Sequence, residues 1–399
     1  MKKRIVITGI GVRVSNAKNY EELINSLKYL KEGQTEIELY DTKKIRSKIG
    51  CQIKEKLNYE EKCDERTTAI AFEAMDDLFC DKEIEKLIRD NREDIVFSFA
   101  TSMSGNQNMM RYVDAEEEEK GSCEQYVYIV PDFINKISQK LGVAGPAYTT
   151  MSACAAGTAA AGVAVDEIRA GNTSVAVVGG TDALTLFSSV GFHSLKSIAE
   201  GNCIPFDKNR AGINLGEASA FLVLEEFEHA KARKAKIFAE VMGYSAKNEA
   251  YHITSPRPDG EGAYVVMKEA MEDAGITFTD ETIYINAHGT GTKANDSMEI
   301  KAIEKLFQHN PNVYVSSTKA ITGHCLGAAG SIELAISAAV LDNQFIPATF
   351  RTADVMETSG NIKIVTEKSE DRKIDYVISN SFAFAGNTAC IILKKYNGE

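Results

Sequence analysis

The chain reads as an α/β protein built in alternating layers. Short β-branched runs recur along its length, helix-prone stretches separate them, and glycines punctuate their ends. Ile5-Val6-Ile7 is the first strand candidate, and Tyr20 to Lys31 has helical spacing. Asp94 to Phe99 has the character of a buried strand. Val175 to Val178 is another and closes on Gly179-Gly180. Ala218 to Glu225 reads as a strand, and the charged, helix-prone sequence after it, to Lys236, marks the seam between two parts, 1–236 and 237–399. Ile283 to Ile285, Val313 to Val315, Tyr376 to Ile378 and Ala389 to Leu393 continue the alternation.

Composition narrows the function. With 399 residues, 44% apolar and 26% charged, the chain has material for a large core and is not a disordered polymer. Its 57 acidic residues outnumber 45 basic ones, giving a net charge of −12. That balance argues against general binding to nucleic acid or to an anionic membrane. No apolar run approaches about 18 residues, so no transmembrane helix is expected. The basic start, Met1 to Arg4, is followed by an apolar stretch broken by glycines and Arg13, which reads as a mature cytosolic N-terminus rather than a secretion signal. Eight cysteines show no CxxC pair and read as reduced thiols in a cytoplasmic protein. Asp114 to Lys120 (DAEEEEK) reads as a solvated acidic loop. Gly9-Ile10-Gly11 lacks the third glycine of a dinucleotide fingerprint, since Val14 stands there.

Three segments carry possible chemistry. Cys154 lies in SACAAG, just before the small, helix-prone stretch Thr158 to Arg169. A cysteine at such a junction stands at a helix N-terminus, where unpaired N–H groups and the helix dipole favour a thiolate. A buried structural cysteine fits the same segment, and the segment alone does not choose. His288 lies in NAHGTGT, straight after a strand, and His324 in TKAITGHCLGAAG. Both sit in glycine- and threonine-rich turns of the kind that carry function on a rigid scaffold. No HxxxH or CxxC spacing supports zinc, so no metal is expected.

Taken in order, these motifs resemble the β-ketoacyl-(acyl-carrier-protein) synthases of KAS II type. TGIGV opens the chain, and PFDKNRAG precedes GEASAFLVLE. AYHITSPRPDG and a C-terminal NSFAFAGN complete the set. His288 lies 134 residues after Cys154, and His324 a further 36, much as that family spaces its Cys-His-His set. The resemblance implies the thiolase fold, two similar halves stacked as five layers α-β-α-β-α, with Cys154 in the first half and both histidines in the second. It implies decarboxylative condensation of malonyl-carrier protein with an acyl group held on Cys154, in fatty-acid or specialised polyketide-type synthesis. No bound cofactor is implied, because both substrates ride on the phosphopantetheine of an acyl carrier protein. His288 and His324 then assist decarboxylation, and Lys319 and Glu333 form the ion pair behind His324. The N–H groups of Cys154 and Phe384 form the oxyanion pair, and the Phe384 side chain is the gate over Cys154. Thr290 and Thr292 contact the pantetheine arm, and Met103 falls at an acyl-pocket position. A dimer is implied, either a homodimer or a heterodimer with a ketosynthase-like partner such as a chain-length factor. A degradative thiolase of the same fold fits less well, because Cys390 is followed by Ile391-Ile392 rather than standing in a CxG motif.

Two departures stand out. The gate loop, usually GFGGTN, reads Ala383-Phe384-Ala385-Gly386-Asn387-Thr388, and alanine in place of glycine makes positive φ less available. The regions that in the family are basic and greet an acidic carrier read EEKCDER (60–66) and SCEQ (122–125), leaving Lys196 as the one matching docking lysine. Less positive charge weakens steering of an acidic carrier and suggests a dedicated one.

Overall fold

The computed structural model describes residues 2–63, 65–104, 110, 129–360 and 362–398. The acidic run Asp114 to Lys120 and the docking segment Ser122 to Gln125 lie outside the described residues.

All eight strand candidates form, and three strands not read from the sequence, starting at Ala147, Ala239 and Ile362, complete a set of eleven. They are β1 (Ile5–Val14), β2 (Val96–Ala100), β3 (Ala147–Thr150), β4 (Val175–Asp182), β5 (Ala218–Glu226), β6 (Ala239–Asn248), β7 (Ile283–Asn286), β8 (Val313–Ser316), β9 (Ile362–Ile364), β10 (Tyr376–Phe382) and β11 (Asn387–Lys394). Two strands run past the glycines that read as their ends. β1 continues through Gly9 and Gly11 because α2 (Arg66–Leu78) lies directly on it: a Cβ on Gly11 would sit 2.4 Å from the Ala74 carbonyl oxygen. β4 continues through Gly179, where a Cβ would meet the Ala220 carbonyl at 2.3 Å. These glycines serve close packing rather than turning. The first helix is shorter than its periodicity suggests: α1 spans Tyr20–Lys28, and Leu30 takes a positive φ of 51°. The charged stretch after β5 forms only α5 (Phe227–Ala232), with Lys234 turned at φ 58°.

The eleven strands join in the order β9-β8-β7-β10-β11-β6-β1-β5-β4-β2-β3. Reading outward from the β1–β6 contact, the same pattern appears in each direction. β1–β5–β4 and β6–β11–β10 are antiparallel, and the strands beyond them pair in parallel. The two halves touch edge to edge through only Ile5 to Ile7 against Ala239 to Val241. α2 covers the outside of one half and α6 (Glu261–Ala274) the outside of the other. Between them lie α3 (Ala156–Ala170) and α8 (Ala329–Asn343), which touch strands of both halves. This is the expected five-layered α-β-α-β-α arrangement.

α8 explains why the stack holds. Every residue from Ala329 to Leu341 is buried, and the helix has no polar face, as a helix inside two sheets requires. It crosses α3 where both lack side chains. A Cβ on Gly157 would lie 2.4 Å from Ser331 N, and one on Gly330 would lie 2.5 Å from Thr158 N. Among the described residues no helix is long and apolar enough to cross a membrane. Gly157→Val drives a branched side chain into the α8 backbone and is expected to cost about 3 kcal/mol, read as a lower urea midpoint. A midpoint equal to the parent's contradicts the close approach.

Candidate active site

Each central helix is entered by a tight 3₁₀ turn. Ala153–Ala155 leads into α3 and Leu326–Ala328 into α8. Ala153 and Leu326 hold positive φ, 49° and 53°, a conformation unfavourable for a residue with a Cβ. The packed crossing beneath holds both turns in place. It also brings Cys154, carried by the first turn, beside the loops of the second half.

His324 is fixed on both sides. Its N–H donates to the Asn214 carbonyl at 2.8 Å, and its carbonyl accepts from Gly216 N at 3.0 Å. Its Nδ1 accepts from Leu326 N at 3.1 Å, so the ring proton is assigned to Nε2. His288 follows β7. Its backbone N–H and that of Gly289 both donate to the Glu299 carboxylate at 2.8 Å. Glu299 belongs to α7 (Lys293–Leu306) and is itself buried. The two imidazoles stand edge to face, 5.4 Å between centroids, and Phe382 closes the other side of His288 at 5.8 Å. Cys154, His288 and His324 line one cavity of about 740 Å³, together with Thr290, Thr292 and Phe384.

Burial sets the charge states. Loss of water pushes the Cys154 thiol up to about 12, against the pull of the Lys319 ammonium. Desolvation thus opposes the thiolate that the helix N-terminus favours. His324 is pushed down to about 3 by burial and by Lys319, and His288 well below its ordinary value by burial, Lys319 and His324. Both rings are neutral near pH 7. Lys319 is 1% exposed and forms a buried ion pair with Glu333. The pair lies behind the site: neither residue belongs to the cavity wall.

The remaining sequence candidates fall as follows. Thr290 and Thr292 share a hydroxyl contact of 2.9 Å, and Thr292 Oγ1 accepts from Asn295 N at the start of α7. Phe384 stacks on Phe192 at 5.5 Å, and Phe192 lies 6.3 Å from the His324 ring. Phe192 belongs to α4 (Leu186–Ser194), where nothing local marked it as a wall residue. In the 383–388 loop only one alanine is under strain. Ala383 is extended at φ −132°, whereas Ala385 holds φ 59°. Ala385 is latched there, its N–H on the Ile253 carbonyl and its carbonyl accepting from Asn248 Nδ2, each at 2.7 Å. Met103 packs with Leu184, Ile213 and Leu326 rather than on the cavity wall. Lys196 is exposed at the cavity mouth, where Lys208 and Lys293 also stand, two lysines the sequence reading did not single out.

Asp182 was also not singled out. It is fully buried at the end of β4 and accepts from Thr101 Oγ1, from the N–H groups of Ser102 and Met103, and from Gly327 N. It thus ties the loop after β2 to the turn that leads into α8. Desolvation pushes its carboxyl up to about 6, opposed by those donors.

Comparison with known proteins agrees with this geometry. The family model for the β-ketoacyl synthase N-terminal domain matches residues 2–230, and that for the C-terminal domain matches residues 238–353. The chain is 34% identical to 3-oxoacyl-(acyl-carrier-protein) synthase 2 of Staphylococcus aureus, and also to that of Vibrio harveyi, over 99% of each chain. Among solved structures, the ishigamide ketosynthase/chain length factor superposes with a TM-score of 0.89 at 28% identity, covering 100% of both chains. The chain belongs to the β-ketoacyl synthase family.

Proposed function

We propose that this chain catalyses the decarboxylative condensation of malonyl-carrier protein with an acyl group held on Cys154. The observation that carries the reading is the meeting of one cysteine with two neutral, buried imidazoles in one cavity. In the first step Cys154 Sγ bonds to the acyl carbon, the carbon–sulfur bond to pantetheine breaks, and the thiol proton ends on the pantetheine sulfur. In the second, the malonyl carbon–carbon bond breaks, carbon dioxide leaves, and the electron pair becomes an enolate. Donors fixed in advance in a site shielded from water stabilise such an oxygen far better than water does. His324 Nε2–H, held by the bond at Nδ1, is one donor, and we assign His288 as the other. In the third step the enolate carbon attacks the acyl thioester. Its tetrahedral oxyanion is received by the N–H groups of Cys154 and Phe384, and Cys154 leaves and takes up one proton.

Lys319 and Glu333 hold the charge behind the histidines, Thr290 and Thr292 guide the pantetheine arm, and Phe384 gates the thiol. Met103 is kept as an acyl-pocket residue reached through its apolar cluster. The division into halves 1–236 and 237–399 fits the repeated strand pattern. We assign the protein to the cytosol, with substrates on phosphopantetheine and no bound cofactor. The active particle is a dimer. The likeness to a ketosynthase/chain length factor favours testing a non-identical partner beside a second copy, and in such a pair Cys154, His288 and His324 give this chain the condensing role.

Two measurements follow. Cys154→Ala abolishes covalent acylation from acyl-carrier, read by intact-protein mass, while folding is kept; acylation that persists in the variant refutes the assignment. Because burial raises the thiol, alkylation of Cys154 by iodoacetamide rises about tenfold per pH unit between about pH 7 and 9. A rate that levels off below about pH 8 shows instead a preformed thiolate.

A further inference from the structure

The segments that correspond to the family's basic docking face carry little free positive charge. Arg66 turns inward onto buried Glu217 and also meets Glu60. Lys56 pairs with Glu61, and Lys62 lies over the Tyr59 ring at 5.8 Å. Positive charge is instead concentrated on a different segment, 41–48, which reads DTKKIRSK. Its burial alternates: Lys43, Lys44, Arg46 and Lys48 are exposed, whereas Ile45 and Ser47 point inward. The segment is fastened to α4 by Tyr40 OH to Ser189 Oγ at 2.5 Å and by Arg46 N–H to His193 Nδ1 at 3.2 Å. α4 runs on into Leu195, Lys196 and Ser197, which stand at the cavity mouth. The basic segment, Lys196 and the opening above Cys154 therefore form one continuous surface.

Within 41–48 and 196–200 two acids oppose five basic groups, while exposed Glu36 and Glu38 flank Ile37, whose N–H meets the Lys48 carbonyl at 2.8 Å, and Glu38 is paired with Lys54 at 3.1 Å. Asp41 lies 3.6 Å from Lys43 and Glu200 lies 3.5 Å from Arg46, and all four side chains are solvent-exposed, where such pairs are worth little. Lys44, Lys48 and Lys196 form no ion pair among the described residues. This local excess sits on a chain of net charge −12, which at long range repels an acidic partner. A local patch beside the opening is what orients such a partner against that repulsion. Leu39 and Leu195, 37% and 46% exposed, add apolar contact at its margins.

We infer that Lys43, Lys44, Arg46 and Lys48, with Lys196, form the docking surface for the acidic carrier protein, displaced from the segments that are basic in the family. The inference rests on the condensing function proposed above. The test compares the parent with Lys43→Glu/Lys44→Glu/Lys48→Glu, and with a control, Lys82→Glu/Lys86→Glu, on the exposed face of the 82–90 helix. Acylation of Cys154 is followed from acyl-carrier and from acyl-pantetheine, which carries no protein. The triple variant is expected to lose about tenfold or more in kcat/KM with acyl-carrier and much of its dependence on salt. It should keep the parent rate with acyl-pantetheine, and the control should keep both rates. Unchanged carrier kinetics, an equal loss with both donors, or an equal loss in the control overturns the docking surface and leaves the condensing function standing. Failure of the parent to be acylated by either donor overturns the condensing function itself.

Discussion

The crossing of α3 and α8 at Gly157 and Gly330 is the contact on which the rest of the molecule depends. Two helices can pass this closely only where neither carries a side chain, and each glycine meets the backbone of the other helix. Because the helices lie between the two sheets, their approach sets how far apart the halves stand. Because each helix is entered by a tight turn, it also sets where Cys154 lies relative to His324. The strained turns at Ala153 and Leu326 persist because what surrounds them is packed, which is how a folded protein holds conformations a free chain avoids.

Burial then governs the chemistry. The buried Lys319–Glu333 pair lies behind the histidines, and its ammonium disfavours a second positive charge beside it. Two imidazoles kept neutral are suited to donate hydrogen bonds to a developing enolate, a role an imidazole can fill without titrating. The same burial raises the Cys154 thiol well above its ordinary range. Asp182 shows the complementary use of burial. One carboxylate saturated by donors binds the loop after β2 to the turn before α8, and so couples segments far apart in sequence.

What could be read from the sequence follows from how local each signal is. Eight of the eleven strands were legible from β-branched runs, whereas β3, β6 and β9 were not. Cys154, His288 and His324 stood out because each lies in a short segment of small residues whose spacing resembles one family. Gly9, Gly11 and Gly179 were misread as turn punctuation, because a glycine that admits a neighbouring backbone looks the same in sequence as one that bends the chain. Phe192, Glu299 and Asp182 were not legible: their partners arrive from distant segments, and an acid at the end of a strand carries no mark of the N–H groups it will meet. Basic charge looked lost when sought at the family's positions. The surface shows it beside the cavity mouth, on a segment whose sequence alone does not say where it faces.

The central claim is that the two buried histidines work as neutral hydrogen-bond donors to an enolate. It is tested most directly by following both imidazoles against pH in the Cys154→Ala variant, beside the rate of malonyl-carrier decarboxylation, to which acyl transfer cannot contribute there. Folding lowers both histidine pKa values, so the working neutral form persists as pH falls through the ordinary histidine range near 6.5. The account predicts that neither imidazole, followed by its ring NMR signals, titrates between about pH 8 and about pH 5, and that any change of rate there tracks the buried carboxyls of Asp182, near 6, and Glu299, near 7. A ring signal that titrates with a midpoint near 6.5, as for a solvent-exposed imidazole, would contradict it.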